Sequence, residues 1–210
     1  MKTTRKREMP HYDPAIIEQV EQIVQQRLAG QGAGHGFDHV ARVLRSARDI
    51  QAQTGGDRMV IELAALLHDL GDAKFHAGIE RSGEFAQAIL SDLGESPETI
   101  THVMHIVDNI SFRKGAAAAE LSLEGKIVQD ADRLDALGAI GIVRTIEYGA
   151  VIGQPFYRSD AHGEKTGVDH FYDKLFKLRG LMNTDAGRRL ASEREQFMRT
   201  FLDQFQRETS

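Results

Sequence analysis

Apolar residues recur three or four apart along most of the chain, the spacing of one face of an α-helix. Asp13-Pro14 opens the first such stretch, with the carboxylate as N-cap and proline in the first turn. Ile16, Ile17, Val20, Ile23, Val24 and Leu28 then keep one face until Gly30. Val40, Val43, Leu44, Ala47 and Ile50 mark a second helix, closed by the turn Thr54-Gly55-Gly56-Asp57. The third stretch differs. Met59-Val60-Ile61 and Leu63 to Leu67 are apolar on nearly every side, which marks a buried helix, and it ends on His68-Asp69-Leu70-Gly71-Asp72. Phe85, Ala86, Ile89, Leu90 and Leu93 form a fourth helix stopped by Gly94, and Ser96-Pro97 opens a fifth with Ile100, Val103, Met104, Val107 and Ile110 inward. A further helix is expected to begin near Glu124 and to continue through Ile142 and Val143. Asp169 is placed as the cap of a helix through Phe171, Leu175, Leu178 and Met182, and Leu190, Phe197, Phe201 and Phe205 are expected to anchor the last one. Gly149 to Gly167 contains Pro155, lacks periodicity and is long for a connection, so it reads as a functional or mobile loop. No period-2 alternation or βαβ pattern occurs. The fold class is all-α, a single compact helical bundle.

Composition narrows this only a little. With 210 residues, 41% apolar and 27% charged, one domain with a real core is expected, over residues 12–207. Residues 1–11 are basic with no apolar run behind them, which reads as a frayed arm rather than a signal peptide. The net charge of −5 argues against an extended nucleic-acid surface. Cysteine is absent, which removes disulfides, thiolate metal sites and a cysteine nucleophile. No run approaches membrane-spanning length, so a cytoplasmic protein without nucleic-acid or membrane partners is expected. The segment Gly30 to Gly34 carries no GxGxxG or P-loop pattern and follows a helix, which rejects a dinucleotide fingerprint.

Three places put metal-ligand types inside or at the end of core helices: His39, the pair His68-Asp69, and the cluster Asp130, Asp132 and Asp135. Taken alone, His68 and Asp69 read as helix caps. A carboxylate at the floor of a core nevertheless needs a cation or donors to offset its burial. Two imidazoles with two carboxylates suit Mn, Fe, Co, Ni or Zn and leave positions for water and substrate. Asp130 and Asp132 diverge by about 200° on a helix and cannot face one ion together, whereas Asp132 and Asp135 share a face. Spacing alone leaves the choice open. His102 and His105 lie together on the polar side of their helix, as surface histidines or as ligands of a second metal.

The segments His39-Val40-Ala41-Arg42-Val43, ALLHDLGD and IVQDADRLDALGAIG resemble those of HD-domain metal-dependent phosphohydrolases, and SFRKG and HFYDKLFKLRGLMNT resemble parts of the small stand-alone bacterial members. The likeness spans about residues 12 to 207. It implies one divalent ion (Mn, Ni, Fe, Co, Zn or Mg) on His39, His68, Asp69 and Asp132, the last because it directly precedes the basic residue of a D-[RK]-x-D pattern. His35 is similar to an accompanying histidine that touches bound water or phosphate, or is a loop residue. Asp72 matches an acidic residue suited to proton transfer, or is a turn aspartate. Lys74, Arg113, Lys114 and Arg133 are candidate phosphate contacts, with Lys174 and Lys177 weaker ones. The implied activity is hydrolysis of nucleoside triphosphates to monophosphate and pyrophosphate, by a monomer or homodimer. The alternatives are a 5′-nucleotidase or phosphodiesterase, a non-catalytic nucleotide sensor, and a di-iron oxygenase.

Overall fold

The computed structural model describes residues 12–30, 36–71, 77–79, 81–110, 119–159 and 163–209. In chain order the helices are α1 (Pro14–Arg27), α2 (Phe37–Thr54), α3 (Arg58–Leu67), α4 (Ser82–Asp92), α5 (Pro97–Asn109), α6 (Leu123–Leu134), α7 (Gly138–Ile152), α8 (Gly167–Asp173), a 3-10 helix over Leu175–Leu181, and α9 (Asp185–Thr209). No strand occurs among the described residues.

α3 is the axis of the bundle. Every residue from Met59 to Leu67 is buried, and α1, α2, α4, α5 and α6 all pack against it. One of those residues is a charge: Glu62 is fully buried and accepts from Arg48 on α2, Arg58 on α3 and the Tyr12 hydroxyl ahead of α1. A buried carboxylate held by three donors ties α1, α2 and α3 together, where an unpaired one would be expelled. The caps follow local chemistry. Asp13, Asp57, Ser96 and Ser122 each accept from backbone N–H groups one turn into their helices.

Four sequence expectations change. The helix expected from Glu124 through Val143 is two helices, α6 and α7. Asp135 closes α6, Leu137 is extended, and Gly138 takes a φ of +74° that only glycine adopts without strain. α7 then runs on to Ile152, so the segment expected to loop from Gly149 begins as helix. Thr166, not Asp169, is the N-cap of α8. The two form a capping box, and a 3-10 helix replaces the second half of the expected helix. In α9 the buried stripe is Ala191, Glu195, Met198 and Leu202, one position on from Phe197, which is exposed.

The described ends of the connection between α3 and α4 meet closely. A Cβ on Gly71 would lie 2.2 Å from the Ser82 nitrogen and 2.3 Å from the Arg81 carbonyl carbon, so no other residue fits without moving the backbone. Arg81 N–H donates to the Gly71 carbonyl at 2.8 Å, and the Ser82 hydroxyl donates to the His68 carbonyl at 3.1 Å. These bonds hold the end of α3 in place.

Candidate metal centre

α2 packs along both α3 and α6, and this packing brings three separate segments to one point. His39 lies in the first turn of α2 and is 3% exposed. His68 is the C-cap of α3, still in helical conformation, and Asp69 follows it; both are buried. Asp132 lies in the last turn of α6. The Nε2 atoms of His39 and His68 are 3.3 Å apart. Asp132 Oδ1 is 3.4 Å from the first and 3.9 Å from the second, and Asp69 oxygens lie at 3.6 and 3.7 Å. Among the described residues, the cluster of three or more such donors is His39, His68 and Asp69, all mutually within 4.8 Å. Asp132 closes the group from its solvent side, with its side chain 38% exposed.

The other ring nitrogens fix what these atoms can do. His68 Nδ1 is 2.9 Å from the Ala65 carbonyl, an acceptor, so Nδ1 carries the proton. The residue therefore does cap its helix and still presents Nε2 to the cluster. His39 Nδ1 is 2.7 Å from Asp135 Oδ2. The Arg144 Nη1 atom also lies 3.1 Å from that nitrogen, but it donates to Asp135 Oδ2, and the shorter carboxylate contact places the proton on His39 Nδ1. Both imidazoles thus turn Nε2 toward each other, with two carboxylates beside them. Such a donor set is repulsive unless a positive charge sits among it. Ligands about 2.1 Å from a common ion stand about 3.0–3.4 Å apart in octahedral or tetrahedral geometry; the two shortest separations fall in that range and the other three are wider, up to 3.9 Å.

The local electrostatics point the same way. Burial works against a charged His39, yet hydrogen bonds to Asp132 and Asp135 and the charge of Asp69 raise its pKa to about 9. Burial likewise favours a neutral Asp132, but the His39 hydrogen bond and the two nearby imidazoles hold it below the usual carboxylate range. A proton on His39 fills the role a cation would fill.

The three aspartates of α6 have three different tasks. Asp130 is fully buried and points away from Asp132. It accepts from the backbone N–H groups of Asn183 and Thr184 and from the Thr184 hydroxyl, each at 2.8 Å, and so anchors the start of α9. Asp132 joins the cluster. Asp135, 3% exposed, accepts from His39, from Arg42 Nε at 2.6 Å and Nη2 at 3.0 Å, and from Arg144. Burial alone would raise its pKa; His39, Arg42 and Arg144 hold it far below the carboxylate range. Sequence reasoning missed Arg42 and Arg144 as the clamp behind His39. Arg42 carried a signal, since i and i+3 share a helix face. No spacing rule links Arg144 to Asp135.

Arg133 donates to the Leu181 carbonyl and lies 4.0 Å from Asp130; none of its described hydrogen bonds reaches the cluster. His102 Nε2 is 2.8 Å from the Ser122 hydroxyl and His105 Nε2 is 3.0 Å from the Glu120 carbonyl, so both tie α5 to the start of α6. His35, Asp72, Lys74, Arg113 and Lys114 lie outside the described residues. No helix among the described residues is long and apolar enough to cross a membrane.

Known proteins are similar in sequence and fold. The HD domain model matches residues 36–137. The Bacillus subtilis protein YpgQ is 40% identical over 197 residues, which is 91% of this chain and 94% of that one. A solved structure described as an HD-superfamily hydrolase from Bacillus thuringiensis superposes with a TM-score of 0.77 at 40% identity, over 91% of this chain and 95% of that one. The structure of YpgQ in complex with ADP superposes with the same TM-score at 36% identity, covering 92% and 95%.

Proposed function

The chain belongs to the HD-domain superfamily of hydrolases, and from that premise we propose that it is a divalent-metal-dependent phosphohydrolase acting on nucleotides, cleaving nucleoside triphosphates to monophosphate and pyrophosphate. The observation that carries the reading is the pair of Nε2 atoms 3.3 Å apart, with two carboxylates beside them. His39, His68, Asp69 and Asp132 would hold the ion. When bound, such an ion polarises a phosphoryl oxygen and lowers the pKa of a coordinated water toward neutrality.

The protein's own groups do the rest. Asp135, clamped by Arg42 and Arg144, keeps His39 in the Nδ1-protonated form with its lone pair inward. Asp132 marks the open side, where substrate and water enter. Lys74, Arg113, Lys114 and Arg133 are the cations proposed to take the phosphates, and Asp72 and His35 the groups proposed to move a proton or orient water. Attack by water on the α-phosphorus would break the bond to the bridging oxygen and release pyrophosphate. A nucleotide substrate is supported by the relative YpgQ, whose structure was solved with ADP.

The test uses metal-stripped protein reloaded with Mn²⁺ and given a panel of nucleoside triphosphates, with pyrophosphate and orthophosphate resolved. Pyrophosphate plus monophosphate, lost in His68→Ala, is expected. Orthophosphate from monophosphates alone would replace the reaction with a nucleotidase. Absence of turnover with every divalent metal would overturn the proposal.

A further inference from the structure

On the far side of Asp135 from the metal cluster is a cavity of about 340 Å³ that none of the four candidate ligands lines. Arg42, Arg45 and Arg194 face it, and Asp135 is the one carboxylate in its wall. That carboxylate is already matched by Arg42, Arg144 and His39. Among the described residues, neither Arg45 nor Arg194 is in an ion pair. Arg194 is half-buried; its Nη1 donates to the Leu134 carbonyl at 2.5 Å and its Nη2 sits 3.5 Å from the Ser46 hydroxyl. Asp135 in the wall acts on both Arg42 and Arg194, and Asp49, Asp38 and Glu147 act on them from outside it; one carboxylate against three guanidinium groups leaves the wall with an excess of positive charge. Arg42 and Arg194 are half-buried and Arg45 is exposed, and three guanidinium groups round one hollow repel each other.

A second feature adds to this. Gly138, Ala139 and Ile140, the first turn of α7, form another part of the wall. Leu137 supplies no side-chain cap and the first turn holds no acidic residue, so the positive end of this helix is uncompensated. Gly138 lets the arginine stem lie across it: a Cβ there would be 3.2 Å from Arg194 Cγ and 3.3 Å from its Cβ. Leu137 and Ile140 make the rest of the lining apolar.

We propose that this cavity is a second binding site, for a small phosphate-bearing anion whose phosphates meet Arg45, Arg194 and the start of α7 and whose remaining part lies on Ala139 and Ile140. Planar guanidinium forks match phosphate oxygens, and exposed backbone N–H groups at a helix start match them too. The volume exceeds what a single phosphate fills, which favours a diphosphate or a nucleotide over a lone anion. The site does not depend on the metal or on the hydrolytic activity proposed above.

The experiment is calorimetric titration of inorganic pyrophosphate into metal-stripped protein at low ionic strength, with the cavity variants separating this site from the metal cluster. Saturable 1:1 binding that weakens as salt rises is expected. Arg45→Ala and Ile140→Glu should each weaken it at least tenfold. Ile140→Glu places a carboxylate in the first turn of α7, which suits the helix, so it should stay folded by circular dichroism. Arg207→Ala, at the far end of α9, should bind as the parent does. ADP in place of pyrophosphate should bind at least as tightly and be lost in the same two variants. No saturable binding, or binding of either ligand unchanged in both cavity variants, would overturn the site.

Discussion

Asp135 shows how much one side chain holds together. It takes the Nδ1 proton of His39 and the guanidinium groups of Arg42 and Arg144, and is 3% exposed itself. Asp135→Asn keeps the shape but removes the charge, leaving two arginines and a histidine without their counter-ion. Removing one partner of a buried ion pair costs about 3–5 kcal/mol; because the arginines reach water on one side, about 2–4 kcal/mol is expected here. The same change loosens the ring of a ligand histidine, which lowers metal affinity by about 10–100-fold. Denaturant unfolding measures the first effect and Mn²⁺ titration the second. Unchanged metal affinity would show that His39 needs no orienting carboxylate. The sequence carried the ligand types His39, His68 and Asp69, but spacing could not separate Asp130, Asp132 and Asp135. Their tasks are set by partners on α9, α2 and α7, distant in the chain, and only the resemblance singled out Asp132.

At the scale of elements, what was legible depended on how local the cause is. The N-caps Asp13 and Ser96 were readable because cap and helix lie within four residues. The α6–α7 break was not, since it needs Asp135 drawn toward Arg42 and Gly138 in a left-handed turn. On α9, Leu190 and Phe201 pack against the core as expected but Phe197 is exposed, because the face that turns inward is set by α6, α7 and the 3-10 helix against which it packs. In α3, the apolar pattern gave the burial correctly but hid its one buried charge. Burial pushes the Glu62 carboxyl up, yet Arg48 and Arg58 bring it below the usual glutamate range. A carboxyl with a depressed folded pKa contributes stability that is present above its unfolded pKa and is lost as pH falls through its folded one. Glu62→Gln should therefore lose about 2–3 kcal/mol at pH 7, less than a fully buried pair because both arginines can hydrate. The gap to the parent should narrow in acid, where Glu62 itself takes up a proton. Urea unfolding of both proteins at pH 7 and pH 3 measures this, and a gap of constant size would refute the linkage.

For the molecule as a whole, the metal ligands come from α2, the α3–α4 connection and α6, so an ion bound among them joins segments that span the first two-thirds of the chain. The unfolded chain has no such preformed site, and a ligand that binds only the folded state stabilises it by mass action. At about 100 times its dissociation constant the gain is about 2.7 kcal/mol. For a protein of this size each kcal/mol raises Tm by about 2–4 °C, which gives an expected rise of about 5–11 °C on adding Mn²⁺ to metal-stripped protein. The rise should vanish in His68→Ala and shrink in Asp135→Asn, which keeps all four ligands but not the orientation of His39. That order of effects separates a coordinated ion from general charge screening. An ion that merely neutralised acidic surface would raise Tm alike in all three proteins, and Ca²⁺ or added salt would reproduce it. Equal shifts in the parent and His68→Ala would thus remove the metal from the cluster, while leaving the fold and its family untouched.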